Sequence, residues 1–195
     1  MAVTPWLWVL VAGAAGYLLG SISPAVYVAR VFGVDLYASG SGNPGATNVG
    51  RTLGARWGVI VGVIDIAKGF VPAAVFGVYV GEIAGEVAGL AAVLGHITSP
   101  FLKGRGGKGV ATTLGAILGV QPWLAIPVLI TFGIGLAIWH RVGLGAALAA
   151  IVLALSGVVG WGVGLLDPSD AVFAVVMAGL VLGRHIGNVR RAALH

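Results

Sequence analysis

The segment GLGAALAAIVLALSGVVGWGVGLL runs from Gly143 to Leu166 and contains no charged side chain. An α-helix needs about 20 consecutive apolar residues to cross the roughly 30 Å hydrocarbon core of a bilayer. This segment is long enough to do so without a break. It therefore predicts a transmembrane helix.

Six further apolar stretches are spaced along the chain. They cover Trp6–Ala29, Leu53–Tyr79, Ile83–Thr98, Gly109–Val120, Trp123–Trp139 and Ala171–Gly183. The third and fourth of the seven stretches are short, which is consistent with either two tilted spans or a re-entrant pair. We predict an all-α polytopic membrane protein with about seven transmembrane helices, forming a single integral membrane domain over residues 1–195.

The composition excludes a water-soluble domain. Hydrophobic residues make up 58% of the chain and charged residues only 9%, with a mean hydropathy of +1.04, whereas soluble domains carry about 25% charged residues. The basic residues are spread over several loops between apolar stretches, so we expect no nucleic-acid partner despite the pI near 10.1. The chain has no cysteine, which excludes disulfides and thiol catalysis.

The positions of the basic residues predict the orientation. Ten of the eleven Lys and Arg residues lie in or beside alternate gaps between the apolar stretches. These residues are Arg30, Arg51, Arg56, Lys103, Arg105, Lys108, Arg141, Arg184, Arg190 and Arg191. Because cytoplasmic loops of membrane proteins are enriched in Lys and Arg, we predict an external amino terminus and a cytoplasmic carboxyl terminus. The polar motifs lie in the same gaps, so the active site is expected on the cytoplasmic face of the cell inner membrane.

The first candidate site is the motif SGSGNPGATN at Ser39–Asn48, with Arg51 after it. Its glycines allow backbone N–H groups to converge on an anion, and Arg51 adds a guanidinium suited to phosphate. Its density of glycine and proline predicts a non-helical segment. The candidate residues are Gly40, Ser41, Gly42, Asn43, Gly45, Asn48 and Arg51. The alternative is an ordinary loop in which Thr47 or Asn48 caps the next helix.

The second candidate site is the motif KGRGGKG at Lys103–Gly109. Cations interleaved with glycines before a helix amino terminus suit a phosphate group, because N–H groups, helix dipole and ammonium charge act together. Lys103, Gly106, Gly107 and Lys108 are the candidate residues. Arg105 lies earlier in the loop and is predicted to act as a topogenic charge that lysine could replace. The alternative is a cytoplasmic loop whose charges serve topology alone.

Three further candidates lie in or beside the apolar stretches. His185 and Asn188 share a helix face at spacing i and i+3, although the basic residues around them also suit a membrane anchor. Lys68 stands three residues after Asp65 inside the second stretch, which favours a structural ion pair over a substrate contact. His96 is similarly open to two interpretations, an interior hydrogen-bonded histidine or a substrate-binding residue.

The sequence lacks several sets of catalytic residues. It has no His-x-x-x-x-Asp pair, no Gly-x-Ser-x-Gly motif and no cluster of metal ligands. We therefore expect no metal and no cofactor. A reaction at these residues would depend on binding and on electrostatic stabilisation of phosphate more than on a strong protein base.

Taken in order, the motifs resemble those of the bacterial PlsY family of membrane glycerol-3-phosphate acyltransferases. The matching blocks are Gly20–Ile22, Gly40–Asn48 with Arg51, Asp65 with Lys68–Gly69, Gly95–His96, Gly106–Thr112, and His185 with Asn188 and Arg190. The resemblance covers nearly the whole chain. It implies seven helices and transfer of a fatty acyl group from acyl phosphate to the sn-1 position of glycerol 3-phosphate. The products would be lysophosphatidic acid and phosphate, in the first step of phospholipid synthesis.

The resemblance and the motifs together give a candidate set of site residues. The catalytic candidates are Ser41, Asn43, Lys108 and His185. The substrate-binding candidates are Gly40, Gly42, Gly45, Asn48, Arg51, Lys68, His96, Lys103, Gly106, Gly107 and Asn188. Acyl phosphate, glycerol 3-phosphate and membrane lipid are the expected partners of a monomer.

The chain departs from the family pattern at several positions. These are Ser23, Tyr37, Ser99, Gly143 and Ala146. A serine is usual at the last two, where it would offer a hydroxyl to phosphate. The alternative function is a membrane transporter of a phosphate ester. A transporter is expected to have related halves with a site at mid-membrane, whereas the motifs here gather at one face.

Overall fold

The computed structural model describes the backbone of residues 5–192 and the side chains of residues 6–185, and within that range it contains helices and no strands. The α-helices are α1 (Pro5–Ser21), α2 (Pro24–Val31), α3 (Ala46–Leu53), α4 (Ala55–Tyr79), α5 (Glu82–Thr98), α6 (Val110–Val120), α7 (Ala125–Trp139), α8 (Val142–Gly162) and α9 (Pro168–Ala192). Two short 3-10 turns, Pro100–Leu102 and Pro122–Leu124, precede α6 and α7. The prediction of an all-α fold is confirmed.

The chain divides into two compact units, Met1–Val120 and Gln121–His195. In the first unit α5 packs along α1, and α4 packs against α3, α5 and α6. In the second unit α8 packs against both α7 and α9. The single domain that the sequence predicts over residues 1–195 stays a prediction.

Glycines allow the helices of the first unit to pack closely. A Cβ atom at Gly69 of α4 would overlap the carbonyl oxygen of Thr112 in α6, and one at Gly115 of α6 would overlap that of Ile66. Gly20 of α1 faces the Ala92 carbonyl of α5 in the same way. Such close approach of backbones is how helices associate where lipid removes the hydrophobic driving force.

In the part of the chain that the structure describes, four helical segments are long and apolar enough to cross a membrane. They are Trp6–Val31, which joins α1 and α2, then Ala55–Tyr79, Pro122–Trp139 and Val142–Gly162. The helices α5, of 17 residues, and α6, of 11 residues, are shorter, as the sequence predicts. The class of fold is therefore confirmed, while the number of seven spans and the orientation stay predictions.

The predicted first span, Trp6–Ala29, corresponds to the segment Trp6–Val31, but the helix within it breaks at Ile22–Ser23. Ser23 caps α2 by accepting a hydrogen bond from the N–H of Val26 at 3.4 Å, and Pro24 occupies the first helical position. Proline suits that position because it has no N–H to satisfy. A serine before a proline therefore starts a new helix here.

Two other helix boundaries lie outside the apolar stretches. The motif at Ser39–Asn48 was expected to be non-helical, but α3 begins at Ala46 with Gly45 as its N-cap, so neither Thr47 nor Asn48 caps it. The last helix, α9, continues to Ala192, whereas the apolar stretch ends at Gly183. Hydropathy marks the part of a helix in lipid and does not detect a short or polar helical segment.

Candidate active site

The first loop of the site is organised by Asn48, which lies in α3 and is 1% exposed. Its side-chain Oδ1 accepts a hydrogen bond from the N–H of Ser41 at 2.8 Å. Its Nδ2 donates to the carbonyl oxygens of Leu36 at 3.2 Å and Ser39 at 2.9 Å. Three of the four hydrogen bonds that an asparagine side chain can make are therefore internal to the loop. This geometry favours a loop-shaping role for Asn48 over the predicted substrate contact, which stays untested.

The backbone conformation of this loop requires glycine at two positions. Gly40 and Gly42 have φ angles of 57° and 66°, in the left-handed region that glycine adopts without a steric penalty. A Cβ atom at Gly40 would also overlap Oδ1 of Asn48. The loop therefore folds tightly around the Asn48 amide and leaves Ser41 exposed between the two glycines.

The rest of the motif leads into α3. The N–H of Gly45 donates to the carbonyl oxygen of Asn43 at 2.9 Å, and the Gly45 carbonyl accepts from the N–H of Asn48 at 3.0 Å. Asn43 is half-buried, and Arg51 is exposed in the last turn of the helix. Among the candidate residues of this motif, Ser41, Asn43 and Arg51 are therefore those whose side chains remain accessible to a ligand.

The second loop uses its central glycines to cap a helix. The N–H of Gly106 donates to the carbonyl oxygen of Ile97, and that of Gly107 donates to His96, each at 3.1 Å. These carbonyls lie in the last turn of α5, where they have no partner within the helix. The N–H groups of Gly106 and Gly107 are thus already used within the protein, which argues against the predicted phosphate cradle at these two amides.

His96 leaves no room for a side chain at either Gly106 or Gly107. A Cβ atom at Gly106 would overlap the carbonyl oxygen of His96, and one at Gly107 would overlap Nε2 of the same residue. Lys103 is exposed with a φ of 52°, and Lys108 is half-buried immediately before α6. The cap on α5 therefore fixes the loop, and the loop in turn places both lysines.

Lys68, Asp65 and His96 form a buried cluster. Nζ of Lys68 lies 2.9 Å from Oδ1 of Asp65, and Nδ1 of His96 lies 3.5 Å from the same oxygen. Lys68 also donates to the carbonyl oxygen of Ile22 at 2.7 Å. All three charged or titratable side chains are at least nine-tenths buried. This arrangement favours the structural interpretation of Lys68 and His96, and their predicted substrate contacts stay untested.

The break between α1 and α2 explains part of this cluster. The carbonyl oxygens at the end of α1 have no partner in that helix. Lys68 satisfies that of Ile22, and the Ser99 hydroxyl satisfies that of Ser21 by donating at 2.7 Å. Ser23 and Ser99, two of the departures from the family pattern, therefore both have structural roles at this break.

Tyr37 and Arg105 form a contact between the two loops that the sequence motifs do not predict. The phenol O–H of Tyr37 donates to the backbone carbonyl oxygen of Arg105 at 2.9 Å. The Arg105 guanidinium carbon also lies 4.3 Å from the centroid of the Tyr37 ring, within the range of a cation–π interaction. Arg105 therefore has a specific partner in addition to any effect on topology.

The second unit contains the remaining candidates. His185 is buried in α9, and its Nδ1 lies 2.8 Å from the carbonyl oxygen of Val181. A Cβ atom at Gly143 would lie 3.9 Å from Cδ2 of His185, so a larger side chain fits at this position. Asn188 belongs to α9, but its side chain lies outside the described residues.

These features define a polytopic helical membrane protein whose polar residues gather in glycine-rich basic loops next to the ends of α3, α5 and α6. The model of the family described as glycerol-3-phosphate acyltransferase matches residues 10–194 of the chain. The chain belongs to this family, as the resemblance to the PlsY proteins predicts.

Individual proteins support this membership over nearly the full length. A glycerol-3-phosphate acyltransferase of Geotalea daltonii is 40% identical over 94% of this chain and 92% of its own. A glycerol-3-phosphate acyltransferase of Aromatoleum aromaticum is 42% identical over 91% of this chain and 89% of its own length. The crystal structure of PlsY (YgiH), an integral membrane glycerol 3-phosphate acyltransferase, in its glycerol 3-phosphate form has a TM-score of 0.86. The PlsY sequence in that structure is 35% identical to this one, and the match covers 95% of this chain and 92% of the PlsY chain. The lysophosphatidic acid form gives a TM-score of 0.81.

Proposed function

We propose that this protein transfers a fatty acyl group from an acyl phosphate to the 1-hydroxyl of glycerol 3-phosphate. The products are lysophosphatidic acid and inorganic phosphate. Membership of the glycerol-3-phosphate acyltransferase family supports the acceptor, as do the glycerol 3-phosphate and lysophosphatidic acid forms of the similar PlsY structure. The observation that carries the proposal is the pair of glycine-rich loops in one unit, in contact through Tyr37 and Arg105.

The side chains of the loops suit phosphate rather than proton chemistry. Lys103, Lys108 and Arg51 supply positive charge for the phosphates of the two substrates, and Arg51 can form two parallel hydrogen bonds to one of them. Ser41 and Asn43 supply neutral donors to the acyl phosphate and to the negative charge that develops on its carbonyl oxygen. Donors fixed before the reaction stabilise such charge without reorganisation in the transition state.

The remaining members of the motifs hold these donors in place. Asn48 shapes the first loop through its three hydrogen bonds, and Gly106 and Gly107 attach the second loop to the end of α5. The contacts predicted between these three residues and substrate are therefore replaced by positioning roles in our proposal. The roles of His185 and Asn188 in substrate binding stay predictions.

The transfer step needs no strong base. The 1-hydroxyl oxygen of glycerol 3-phosphate attacks the acyl carbonyl carbon, the bond from that carbon to the phosphate oxygen breaks, and the hydroxyl proton leaves with inorganic phosphate. Phosphate is a good leaving group, so substrate orientation and charge stabilisation supply most of the acceleration. The loops 33–45 and 99–109 contain one carboxylate, that of Asp35. Its Oδ1 accepts a hydrogen bond from the N–H of Tyr37 at 2.8 Å, which assigns it to the turn.

We further propose that both loops face the cytoplasm. The basic residues of alternate gaps support this orientation through the positive-inside rule. The chain has no cysteine, so single cysteines can report it directly. A Ser39→Cys variant should react with a membrane-impermeant thiol reagent only from the cytoplasmic side. Reaction from the external side alone would reverse the proposed topology.

The proposed function is tested by giving the purified protein glycerol 3-phosphate with palmitoyl phosphate or palmitoyl-CoA. We expect lysophosphatidic acid only from palmitoyl phosphate. Lys108→Ala should lower kcat/KM about 10²-fold, the scale expected for one preorganised charge or donor. Arg56→Ala removes a cation outside both loops and serves as the control. Turnover with palmitoyl-CoA alone would reject the donor, and uptake of glycerol 3-phosphate into proteoliposomes without chemical change would favour a transporter.

A further inference from the structure

Tyr37 and Arg105 lie 68 positions apart in the chain but make two contacts with each other. The Tyr37 hydroxyl donates to the Arg105 carbonyl, and the Arg105 guanidinium lies over the Tyr37 ring. Tyr37 thus contributes its hydroxyl group and the face of its ring, and Arg105 contributes its backbone carbonyl and its guanidinium group. The two contacts restrain different motions, since the hydrogen bond fixes distance and the stacked group limits rotation.

Each residue is itself held within its own loop. The N–H of Tyr37 donates to Oδ1 of Asp35 at 2.8 Å, and the carbonyl oxygen of the adjacent Leu36 accepts from Nδ2 of Asn48 at 3.2 Å. The N–H of Arg105 donates to the carbonyl oxygen of Leu102 at 3.0 Å, and the next residue, Gly106, is attached to α5. The contact between Tyr37 and Arg105 therefore joins two organised loops rather than two free side chains.

We propose that Tyr37 and Arg105 are positioning residues that set the spacing between the two loops and so the affinity for a phosphoryl group held between them. We call this pair of contacts the Tyr37–Arg105 clasp. The proposal rests on the proposed function only in assigning a phosphate-bearing substrate to both loops. Neither residue contacts substrate in this account.

The chemistry of the two side chains suits this role. Burial raises the pKa of the Tyr37 phenol above its ordinary value of 10.0, although the nearby Arg105 charge opposes the shift. The phenol is therefore protonated and able to donate throughout the physiological range. Lysine is a poor replacement for Arg105, because a planar guanidinium stacks on an aromatic face and a compact ammonium does not.

The clasp predicts a rise in KM when either contact is lost. Tyr37→Leu removes both the donor and the ring, so we expect KM for at least one of the two phosphate-bearing substrates to rise about tenfold. Tyr37→Phe keeps the ring and should give a smaller rise. Arg105→Met removes the stacked cation but keeps the backbone acceptor, and it should also raise KM. The KM of Arg105→Lys should lie between that of Arg105→Met and that of the unmodified protein.

KM separates positioning from a general loss of folded protein. A smaller folded fraction lowers the maximal rate in proportion but leaves KM unchanged, whereas a displaced loop weakens binding. Combining Tyr37→Leu with Arg105→Met should raise KM no further than Tyr37→Leu alone, because both changes remove the same stacking contact. Effects that multiply would mean that the residues act independently, which would overturn the clasp.

Two matched controls use the same residue types outside the clasp. Tyr27→Leu removes a tyrosine that is 73% exposed on α2. Arg56→Met removes an arginine whose guanidinium lies 5.7 Å from the ring of the adjacent Trp57, a cation–π contact within one helix. Both controls should keep each KM within twofold of the unmodified protein.

The measurement is a full kinetic analysis of these variants in detergent, with the donor that supports turnover of the unmodified protein. A rise of more than twofold in at least one KM for Tyr37→Leu and for Arg105→Met, with non-additive effects, supports the clasp. Both KM values within twofold in either variant would overturn it. Whether the unmodified protein requires an acyl phosphate donor tests the proposed function separately. The clasp is tested by the ratio of the variant KM to the unmodified KM, both measured with the same donor.

Discussion

Replacing Asn48 should disorganise the first loop rather than remove a single contact with substrate. Asn48→Ala leaves one backbone N–H, that of Ser41, and two backbone carbonyls, those of Leu36 and Ser39, without their present partner. A hydrogen bond contributes about 1 kcal/mol net, so the three together contribute about 3 kcal/mol to the native loop conformation. This corresponds to a factor of ~10² in the population of that conformation.

Asn48→Asp provides a sharper test than alanine. An ionised carboxylate can still accept from the N–H of Ser41, but it cannot donate to Leu36 and Ser39 and places negative charge against their carbonyl oxygens. We therefore expect Asn48→Asp to be at least as damaging as Asn48→Ala, with kcat/KM reduced about 10²-fold in each. Thr47→Ala, at an exposed neighbouring position, is the matched control and should keep its activity.

The assay combines kinetics with hydrogen–deuterium exchange. Exchange in a peptide covering residues 36–45 should become faster in both Asn48 variants, because the Ser41 amide loses its acceptor or its fixed geometry. Wild-type kinetics in Asn48→Ala would refute the reasoning. A large loss of activity with unchanged exchange in this peptide would instead give Asn48 a direct substrate contact.

Three further predictions follow from the packing around the loops. Lys68→Met should destabilise the protein by about 3 kcal/mol because it removes the ammonium 2.9 Å from the buried Asp65 carboxylate and leaves that charge with His96 alone beside it, and adding Asp65→Asn should recover part of the apparent melting temperature. Asn43→Ala should lower kcat/KM about 10²-fold without changing that temperature, so a matching fall in thermal stability would make Asn43 structural. Gly107→Ala should abolish activity through overlap with the His96 ring, and His96→Ala in the same chain should restore part of it; no recovery would place the critical contact elsewhere.

The apolar stretches predicted the main helices because hydropathy depends on local composition. The bounds predicted for the third and fourth stretches, Ile83–Thr98 and Gly109–Val120, agree with α5 and α6 to within one residue. The break after Ser21 was not predictable in this way. It is stabilised by Lys68 and Ser99, which lie 46 and 78 positions from their acceptors in the chain.

The conformation of the two candidate loops was predictable at the level of motifs but not of individual hydrogen bonds. Glycine content correctly identified a tightly folded first loop, but the pattern did not reveal that the Asn48 amide organises it. The sequence also could not show that the N–H groups of Gly106 and Gly107 point toward α5. The Tyr37 contact with Arg105 depends on two loops that only the tertiary fold brings together.

The most direct test of the proposed reaction follows the oxygen that bridges carbonyl carbon and phosphorus in the donor. Palmitoyl phosphate labelled with ¹⁸O at this position is incubated with glycerol 3-phosphate and the purified protein, and both products are analysed by mass spectrometry. Attack at the carbonyl carbon predicts one inorganic phosphate per lysophosphatidic acid, with the label in the phosphate. Lysophosphatidic acid formed only from palmitoyl-CoA, or label retained in a palmitoyl product, would contradict it.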